Sequence, residues 1–562
     1  MWRRIRQQYQ SNKVRGMYAK ERVAARPGER LVRQGKVEQG ERVMELAGPA
    51  DSGGEVSSCR ADVCTDVLII GAGGAGLAAA YEAAKSGRRV IVLEKNSAPG
   101  GSTSWSVGSV TATNTPHQRR AGIQDDADAH FEDLALHAGH LASRDNLKLR
   151  RLLVDNSSEM LQWLMDLGVV FVGPQEEPPH RVARMHNVVP NAKSFAYHLT
   201  RHCKSLGVEI VVNTRSVGFI VENGRVCGAE TIGLDGCKRR FLARHGVVLA
   251  SGDYSAAEDL KGSLASAAVV PVEPVNPTAT GDGHRMALQI GAQVINGDIV
   301  RGPIMRFVPP SRRNPIERLP PLRGVARLIA WSMGHLPQVI LRPFLMSFLT
   351  TALGPSPDLL REGAILVNKR GQRFTDELGS PAGDVALQPE KVAWFVMDEA
   401  LASKFSQWPY FVSTAPGVAY AYMKDYQRNR RDIFHRAGTL QGLADSMGVP
   451  AAALVDTIAA YNQSTDRGER PVLEGGPYYA LGPVKSYVVF TDGGLAVNER
   501  LEVLSADGSP LPGLYAAGSA GQGGLLLEGH GHHLGWAFVS GRIAGRNAAQ
   551  APMGLSDFHP IQ

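Results

Sequence analysis

The first strong pattern of apolar and polar positions spans residues 65 to 95, TDVLIIGAGGAGLAAAYEAAKSGRRVIVLEK. Asp66 to Ile70 is a short apolar run suited to a strand buried on both faces of a parallel sheet. Gly71-Ala72-Gly73-Gly74-Ala75-Gly76 then opens an Ala-rich helix, and Val90 to Leu93 reads as a second strand. The whole is a βαβ unit. A second apolar stretch, residues 322 to 353, is interrupted by Pro337, Arg342 and Pro343. Its uncharged pieces fall short of the roughly 18 residues that a membrane span needs. It predicts a buried helical hairpin, a segment lying in a membrane interface, or an oligomer contact.

In the βαβ unit each small residue has a reason. Gly71 permits the tight turn, Gly73 lets backbone approach a pyrophosphate, and Gly76 allows helix to pack closely on strand. The helix N-terminus offers N–H groups and a positive dipole end to phosphates. Glu94, at the end of the second strand, can accept hydrogen bonds from ribose hydroxyls. Strand, glycines, helix, strand and acid in register predict a dinucleotide site. Residues 99 to 108, PGGSTSWSVG, add a second Gly/Ser/Thr-rich loop, which a nicotinamide domain does not need and an extended FAD does.

Here the chain resembles the FAD-binding family that contains soluble fumarate reductases, L-aspartate oxidases, urocanate reductases and 3-ketosteroid dehydrogenases. The matching pieces are GAGGAGLAAA, VLEKNSAPGGSTS, VVLASGDYS at 247 to 255, TATGDGHRMALQIGA at 278 to 292, GAILVNKRGQRFTDE at 363 to 377, TDGGLAVN at 491 to 498 and LPGLYAAGSAGQGG at 511 to 524. The resemblance implies an α/β fold: a Rossmann-like FAD-binding domain in two segments, 61–297 and 490–551, with an α+β capping (substrate) domain, 298–489, inserted between them. A basic leader, 1–60, precedes it and a tail, 552–562, follows. The family's cofactor roles carry over to Gly71, Gly73, Gly74, Ala75, Gly76, Glu94, Lys95, Gly100, Gly101, Ser102 and Thr103 at the ADP and phosphate end. Ala250, Ser251 and Gly252 come near the dinucleotide, Gly518 and Ser519 lie along the ribityl chain, and Leu534 lies by the flavin. Relatives with covalent flavin have a His in the loop after the second strand. Ser and Thr stand here, so FAD is expected to be non-covalent.

The segment Gly529-His530-Gly531-His532-His533-Leu534-Gly535 matches the family's helix start facing the flavin N1/C2=O edge, where a helix dipole stabilises negative charge. Fumarate-type relatives clamp a dicarboxylate with an Arg in the NRLGG stretch, a His before the TMGG-like motif and an Arg after RF-x-x-E. This chain has His533, Phe490 and the arginine-free LGSPAGDVA at 378 to 386. Losing Arg removes bidentate carboxylate binding. The resemblance to 3-ketosteroid dehydrogenases therefore implies an apolar small-molecule substrate, a lipophilic ketone desaturated by hydride transfer to flavin N5. The alternative is a dicarboxylate reductase with a relocated arginine, Arg301, Arg306 or Arg373. Gly531 matches a backbone donor to the ketone, but Leu527 replaces the family's C-terminal Tyr. His532 or His533, or Tyr254, Tyr410, Tyr420 or Tyr479, would supply acid/base chemistry; otherwise the histidines only cap the helix. No carboxylate or Cys partner lies at ligand spacing from them, so no metal is expected.

Charge narrows the partners. The net charge is +7, but residues 1 to 60 hold 13 Lys+Arg against 7 Asp+Glu, which leaves 48 against 47 in the rest. The body is neutral, so nucleic-acid binding is not expected. A membrane-surface protein keeping FAD structurally is a third class. Arg3-Arg4 is followed by no apolar run, and the leader's acids contradict a transit peptide. Met17 and Met44 are alternative starts. Five cysteines (Cys59, Cys64, Cys203, Cys227, Cys237) with no C-x-x-C pair predict a reducing compartment. The expected location is cytoplasmic, with membrane contact through 322–353 as a variant. Residues 311 to 342, which overlap it, hold six arginines, Arg312, Arg313, Arg318, Arg323, Arg327 and Arg342, against the single Glu317. The electron acceptor stays open.

Overall fold

The computed structural model describes residues 62–310, 318–415 and 419–554. The leader with Cys59, Met17 and Met44, the stretch with Arg312, Arg313 and Glu317, and residues 555–562 lie outside it. Cys64, Cys203, Cys227 and Cys237 are thiols.

The larger sheet has the order Glu502–Leu504, Pro510–Ala516, Lys238–Leu249, Val63–Ile70, Val90–Leu93, Glu209–Val211. From Pro510–Ala516 to Glu209–Val211 every pairing is parallel. Helices cover both faces of such a sheet, which is why its strands read as unbroken apolar runs. The first strand starts at Val63, three residues before the expected Asp66. The antiparallel hairpin Thr214–Glu222 and Arg225–Gly233 extends Lys238–Leu249.

Helix Gly74–Lys85 packs directly on the C-terminal helix His532–Gln550. A Cβ on Gly541 would lie 2.3 Å from the Ala75 carbonyl oxygen, and one on Gly545 would lie 2.2 Å from that of Ala79. The Ala-rich sequence of one helix and the glycines of the other thus let two backbones touch. This contact fixes both helix N-termini relative to the central strands.

A second sheet is built around the 11-residue strand Tyr478–Val488, flanked by Ala393–Met397, Ile365–Asn368, Ile304–Phe307, Phe434–Ala437 and Glu273–Pro274. Both faces are apolar, with the period of two that a pleated strand imposes. Leu366, Phe395 and Leu481 enter one core; Val367, Trp394 and Ala480 enter the other. Helices cover each face, giving the inserted α+β unit. Glu273–Pro274, which the sequence reading puts in the first FAD-binding segment, pairs here with this second sheet.

The chain leaves the first sheet and returns to it side by side. Val294–Ile295 pairs antiparallel with Gly494–Leu495, and Val300–Arg301 with Phe490–Thr491. This seam carries Arg301, Phe490 and Asp492 to the start of the C-terminal helix.

The apolar segment forms two helices, Arg323–His335 and Gln338–Ala352. Ala326, Met346 and Thr350 face inward, while Leu328, Trp331 and Ile340 are more than half exposed. A fully buried hairpin is therefore not what forms. Among the described residues no helix is long and apolar enough to cross a membrane.

Candidate functional site

A cleft opens where the parallel strands end, beyond Ile70, Leu93 and Ala250. This is where open α/β sheets bind ligands. Gly71, Gly73, Gly74, Ala75, Glu94, Lys95, Gly101, Ser102, Thr103, Ala250, Ser251, Gly252, Gly518 and Ser519 all line it. Gly76, Gly100 and Leu534 do not; they pack behind it. A Cβ on Gly76 would sit 1.8 Å from the Gly71 carbonyl oxygen, so this glycine serves the helix-on-strand contact. Gly100 donates its N–H to the Ala72 carbonyl at 2.9 Å, and Leu534 packs against the main core.

Gly73 behaves differently from its neighbours. Nothing lies within 4 Å of the place a Cβ would take. It is also the N-cap of helix Gly74–Lys85 and offers no side-chain cap, so the first-turn N–H groups depend on other acceptors. One of them, Gly74 N–H, is bonded to Thr103 Oγ1 at 3.1 Å. The buried hydroxyl of Ser251, also in the cleft, has no hydrogen-bond partner among the described residues. Open helix N-terminus, vacant approach and unsatisfied hydroxyl together fit a bound phosphate chain.

Glu94 is 5% exposed. Its Oε2 accepts from Ala72 N–H and its Oε1 from Asn96 N–H, both at 2.8 Å. These bonds aim the carboxylate and leave further lone pairs for ribose hydroxyls. Lys95 is occupied otherwise: its Nζ lies 2.9 Å from Asp282, which also receives Arg215 at 2.7 Å. Burial pushes the Asp282 carboxyl up, but the bonds from Arg215 and Lys95 outweigh it and hold the group below its ordinary value. Thr214, Ser216, Asn276, Thr278 and Asp282 line the cleft without having been picked from sequence. TATGDG at 278 to 283 was the one signal for part of this set.

The two histidines of the C-terminal helix part company. His532 is fully buried and donates Nδ1–H to the Glu528 carbonyl at 2.7 Å. Burial, with His180 and His137 nearby, holds it well below its ordinary pKa. His533 lies on the seam side, with the Phe490 ring centroid 3.8 Å from its own. Burial pulls His533 down to about 4, against the opposing Asp492 carboxylate and with help from Arg301. Gly531, at φ 91°, starts the helix against Thr111, whose N would lie 2.6 Å from a Cβ there. None of the three lines the main cleft.

Arg301 is held by two carboxylates, Asp492 at 2.6 Å and Glu528 at 2.8 Å. Asp492, fully buried, also accepts from Gln522 at 3.0 Å. Two acids and one guanidinium beside a neutral His533 make this corner net negative. Arg373 pairs with Glu377 at 2.7 Å, as does Arg470 at 3.1 Å. Arg306 sits on the Ile304–Phe307 strand opposite Lys485. The three candidate arginines therefore fall on separate elements. Of the tyrosines, Tyr254 is buried with its hydroxyl donating to Gly297 O at 2.7 Å, and Tyr479 donates to Glu399 at 2.5 Å. Asp253, next to the cleft glycine Gly252, is a titrating group that sequence did not single out. Burial pushes it up to about 6, against hydrogen bonds from Ser255.

A family model described as "FAD binding domain" matches residues 66–311 and 337–526. Over 504 residues the chain is 28% identical to a probable fumarate reductase, Ifc3, of Shewanella frigidimarina (strain NCIMB 400), covering 86% of this chain and 75% of that protein. It is 27% identical over 520 residues to the vinyl phenol reductase of Lactiplantibacillus plantarum (strain ATCC BAA-793 / NCIMB 8826 / WCFS1), covering 86% of this chain and 96% of that one. The structure of the open conformation of a flavocytochrome c3 fumarate reductase superposes with a TM-score of 0.64 at 26% identity, covering 87% of this chain and 78% of that chain.

Proposed function

Since the chain belongs to the FAD binding domain family and is an FAD-dependent oxidoreductase of the fumarate reductase type, we propose that its substrate is a neutral, largely apolar molecule with a C–C bond conjugated to a carbonyl, such as a 3-ketosteroid-like ketone. The observation that carries this reading is the corner at Arg301. A dicarboxylate needs uncompensated cations, and here Asp492 and Glu528 claim the guanidinium while His533 is neutral. The vinyl phenol reductase relative agrees with a substrate that lacks carboxylates.

Bound FAD supplies the hydride acceptor or donor. The chain's own residues hold and bias it. Gly73 and the Gly74–Lys85 N-terminus take the pyrophosphate, Glu94 the ribose, Gly518 and Ser519 the chain beyond it, with no histidine on the Gly100–Thr103 turn for a covalent bond. The start of helix His532–Gln550 presents its positive end to developing negative charge. His533 Nε2 is buried beside Phe490 with no hydrogen-bond partner among the described residues, which leaves it open to a donor on a neutral substrate instead of clamping an anion.

Under anaerobic conditions the oxidised flavin should bleach with a saturated 3-ketosteroid and not with succinate, and an enone should reoxidise the reduced flavin where fumarate does not. Bleaching by succinate alone would sink the reading. An arginine-based dicarboxylate site would further require Arg373→Ala to abolish fumarate-dependent reoxidation; with Arg373 spent on Glu377, no such loss is expected.

The exposed side of helix Arg323–His335 supports uptake of a greasy substrate from a lipid interface. Leu328 and Trp331 stand outward among Arg323 and Arg327. The protein is expected to cosediment with anionic vesicles, and the double variant Leu328→Asp, Trp331→Asp to stay in the supernatant with its flavin intact. Equal sedimentation of the two would remove the hairpin from this role.

A further inference from the structure

We propose that His130, His180 and His532 form a binding site for one divalent transition-metal ion of the zinc type. The three come from separate places: helix Ala127–Ala138, the loop after strand Val170–Gln175, and the first turn of the C-terminal helix. One ring nitrogen from each lies within 4.8 Å of the others. The Nε2 atoms of His130 and His532 are 3.4 Å apart. Tetrahedral zinc with Zn–N bonds of about 2.0–2.1 Å sets its donors about 3.3 Å from one another. The ring centroids are 5.5 Å (His130–His180), 5.6 Å (His130–His532) and 5.3 Å (His180–His532) apart, close to an equilateral triangle. Three rings directed at one point produce that pattern.

The chemistry of the donors agrees. All three are buried, at 0%, 8% and 0% exposure. Imidazole binds metal in its neutral form, the form that burial of these rings favours. His532 donates Nδ1–H to the Glu528 carbonyl, which fixes the tautomer and turns the Nε2 lone pair inward, as an outer-shell carbonyl does for a ligating histidine. His180 Nδ1 lies 3.8 Å from Asp133 Oδ2 and 2.9 Å from Arg184 Nη1. The Arg184 guanidinium donates to Nδ1, so Nε2 carries the proton in the metal-free protein and must release it to bind the metal. Hydrogen bonding inside the protein does not account for the arrangement, because His130 Nδ1 and His180 Nε2 are buried with no partner among the described residues.

The surrounding charge admits a cation. Arg184 and Arg181 are spent on Asp125, Asp133 and Glu132, three acids against two guanidinium groups. The His137 ring lies 4.5 Å from that of His180. An ion here would tie helix Ala127–Ala138 and the 176–184 loop to the first turn of the C-terminal helix. Imidazole donors also suit copper, nickel and iron. Zinc is chosen because the 3.4 Å between His130 Nε2 and His532 Nε2 matches the donor separation of its tetrahedral sites.

The test uses the FAD-loaded protein. After chelation and dialysis, titration with Zn²⁺ should show one tight equivalent per chain, and Co²⁺ should give the visible absorption of a tetrahedral nitrogen site. His130→Gln and His180→Gln should weaken binding by more than about 100-fold while flavin content and circular dichroism persist. His530→Ala, which removes an exposed histidine bonded to Glu177, should change nothing. Should the variants fail to fold, X-ray absorption on the wild-type Zn²⁺ adduct decides: three imidazoles around the metal are expected, and fewer overturn the site. Absence of a tight equivalent in the wild type, or undiminished binding by folded glutamine variants, also overturns it.

Discussion

Gly73→Val should yield a folded protein that has lost its FAD, whereas Gly76→Ala should yield little folded protein at all. The two glycines stand three residues apart, and the difference between them is geometric. At Gly73 the backbone is at φ −74° and ψ −173°, which any residue can adopt. An added side chain would meet no protein atom within 4 Å. The fold loses nothing, but the space filled is the one a pyrophosphate must enter to reach the helix N-terminus. Affinity for FAD should fall by at least about 100-fold, some 2.7 kcal/mol. At Gly76 a Cβ would lie 1.8 Å from the Gly71 carbonyl oxygen and 3.0 Å from its carbon. Backbone must shift, at the upper end of the roughly 1–3 kcal/mol seen for overpacking or beyond it. Flavin absorbance per chain together with denaturant unfolding of the apoprotein separates the two. Intact FAD binding by Gly73→Val would remove the phosphate assignment.

Arg184→Met is expected to cost about 3–5 kcal/mol, the penalty for stranding buried charge. Arg184 is 0% exposed and bonds Asp125 at 2.6 Å and Asp133 at 2.5 Å, both carboxylates being 1% exposed. Methionine fills the volume and leaves both acids without their main counter-ion. The pH dependence has a definite sign. Burial pushes the Asp133 carboxyl up, but bonds from Arg181 and Arg184 outweigh it and hold the group below 3.8 in the folded protein. Its stabilising share is therefore complete above the unfolded value and is lost as pH falls through the lowered one. In the variant burial acts with less opposition, so protonation relieves it. The deficit measured by urea unfolding at neutral pH should shrink at pH values near and below 4. A deficit independent of pH would mean that packing, not charge, is what the arginine contributes.

What the sequence could show depended on distance along the chain. Gly71, Gly73 and Gly76, with Glu94, act on one another within a single βαβ unit, so their spacing alone reveals the cleft. Thr214 and Asn276 reach the same cleft from other loops, and a threonine or asparagine carries no local mark of that destination. His532 and His533 are neighbours in sequence, but adjacent helical positions point about 100° apart. One enters the histidine cluster and the other meets Phe490. Spacing around GHGHH could not show that cluster, since His130 lies 402 positions from His532. The hairpin at 322–353 was ambiguous because apolar content alone does not say which residues meet solvent; Leu328 and Trp331 do. The α/β class with an α+β insertion was legible, because motifs from both segments flank the inserted stretch in order.

The paired strands at 294–301 and 490–495 have a consequence for exchange between relatives. Because the outgoing and incoming strands hydrogen-bond to one another, everything between them hangs from one stem with its two ends side by side. The inserted sheet also takes in Glu273–Pro274 from before the stem, so a foreign insert bearing a matching pair of strands would meet no new loop-closure requirement but would have to rebuild that pairing. Arg301 and Phe490 are themselves a paired position of the stem, so a graft would change both of these corner residues in one step.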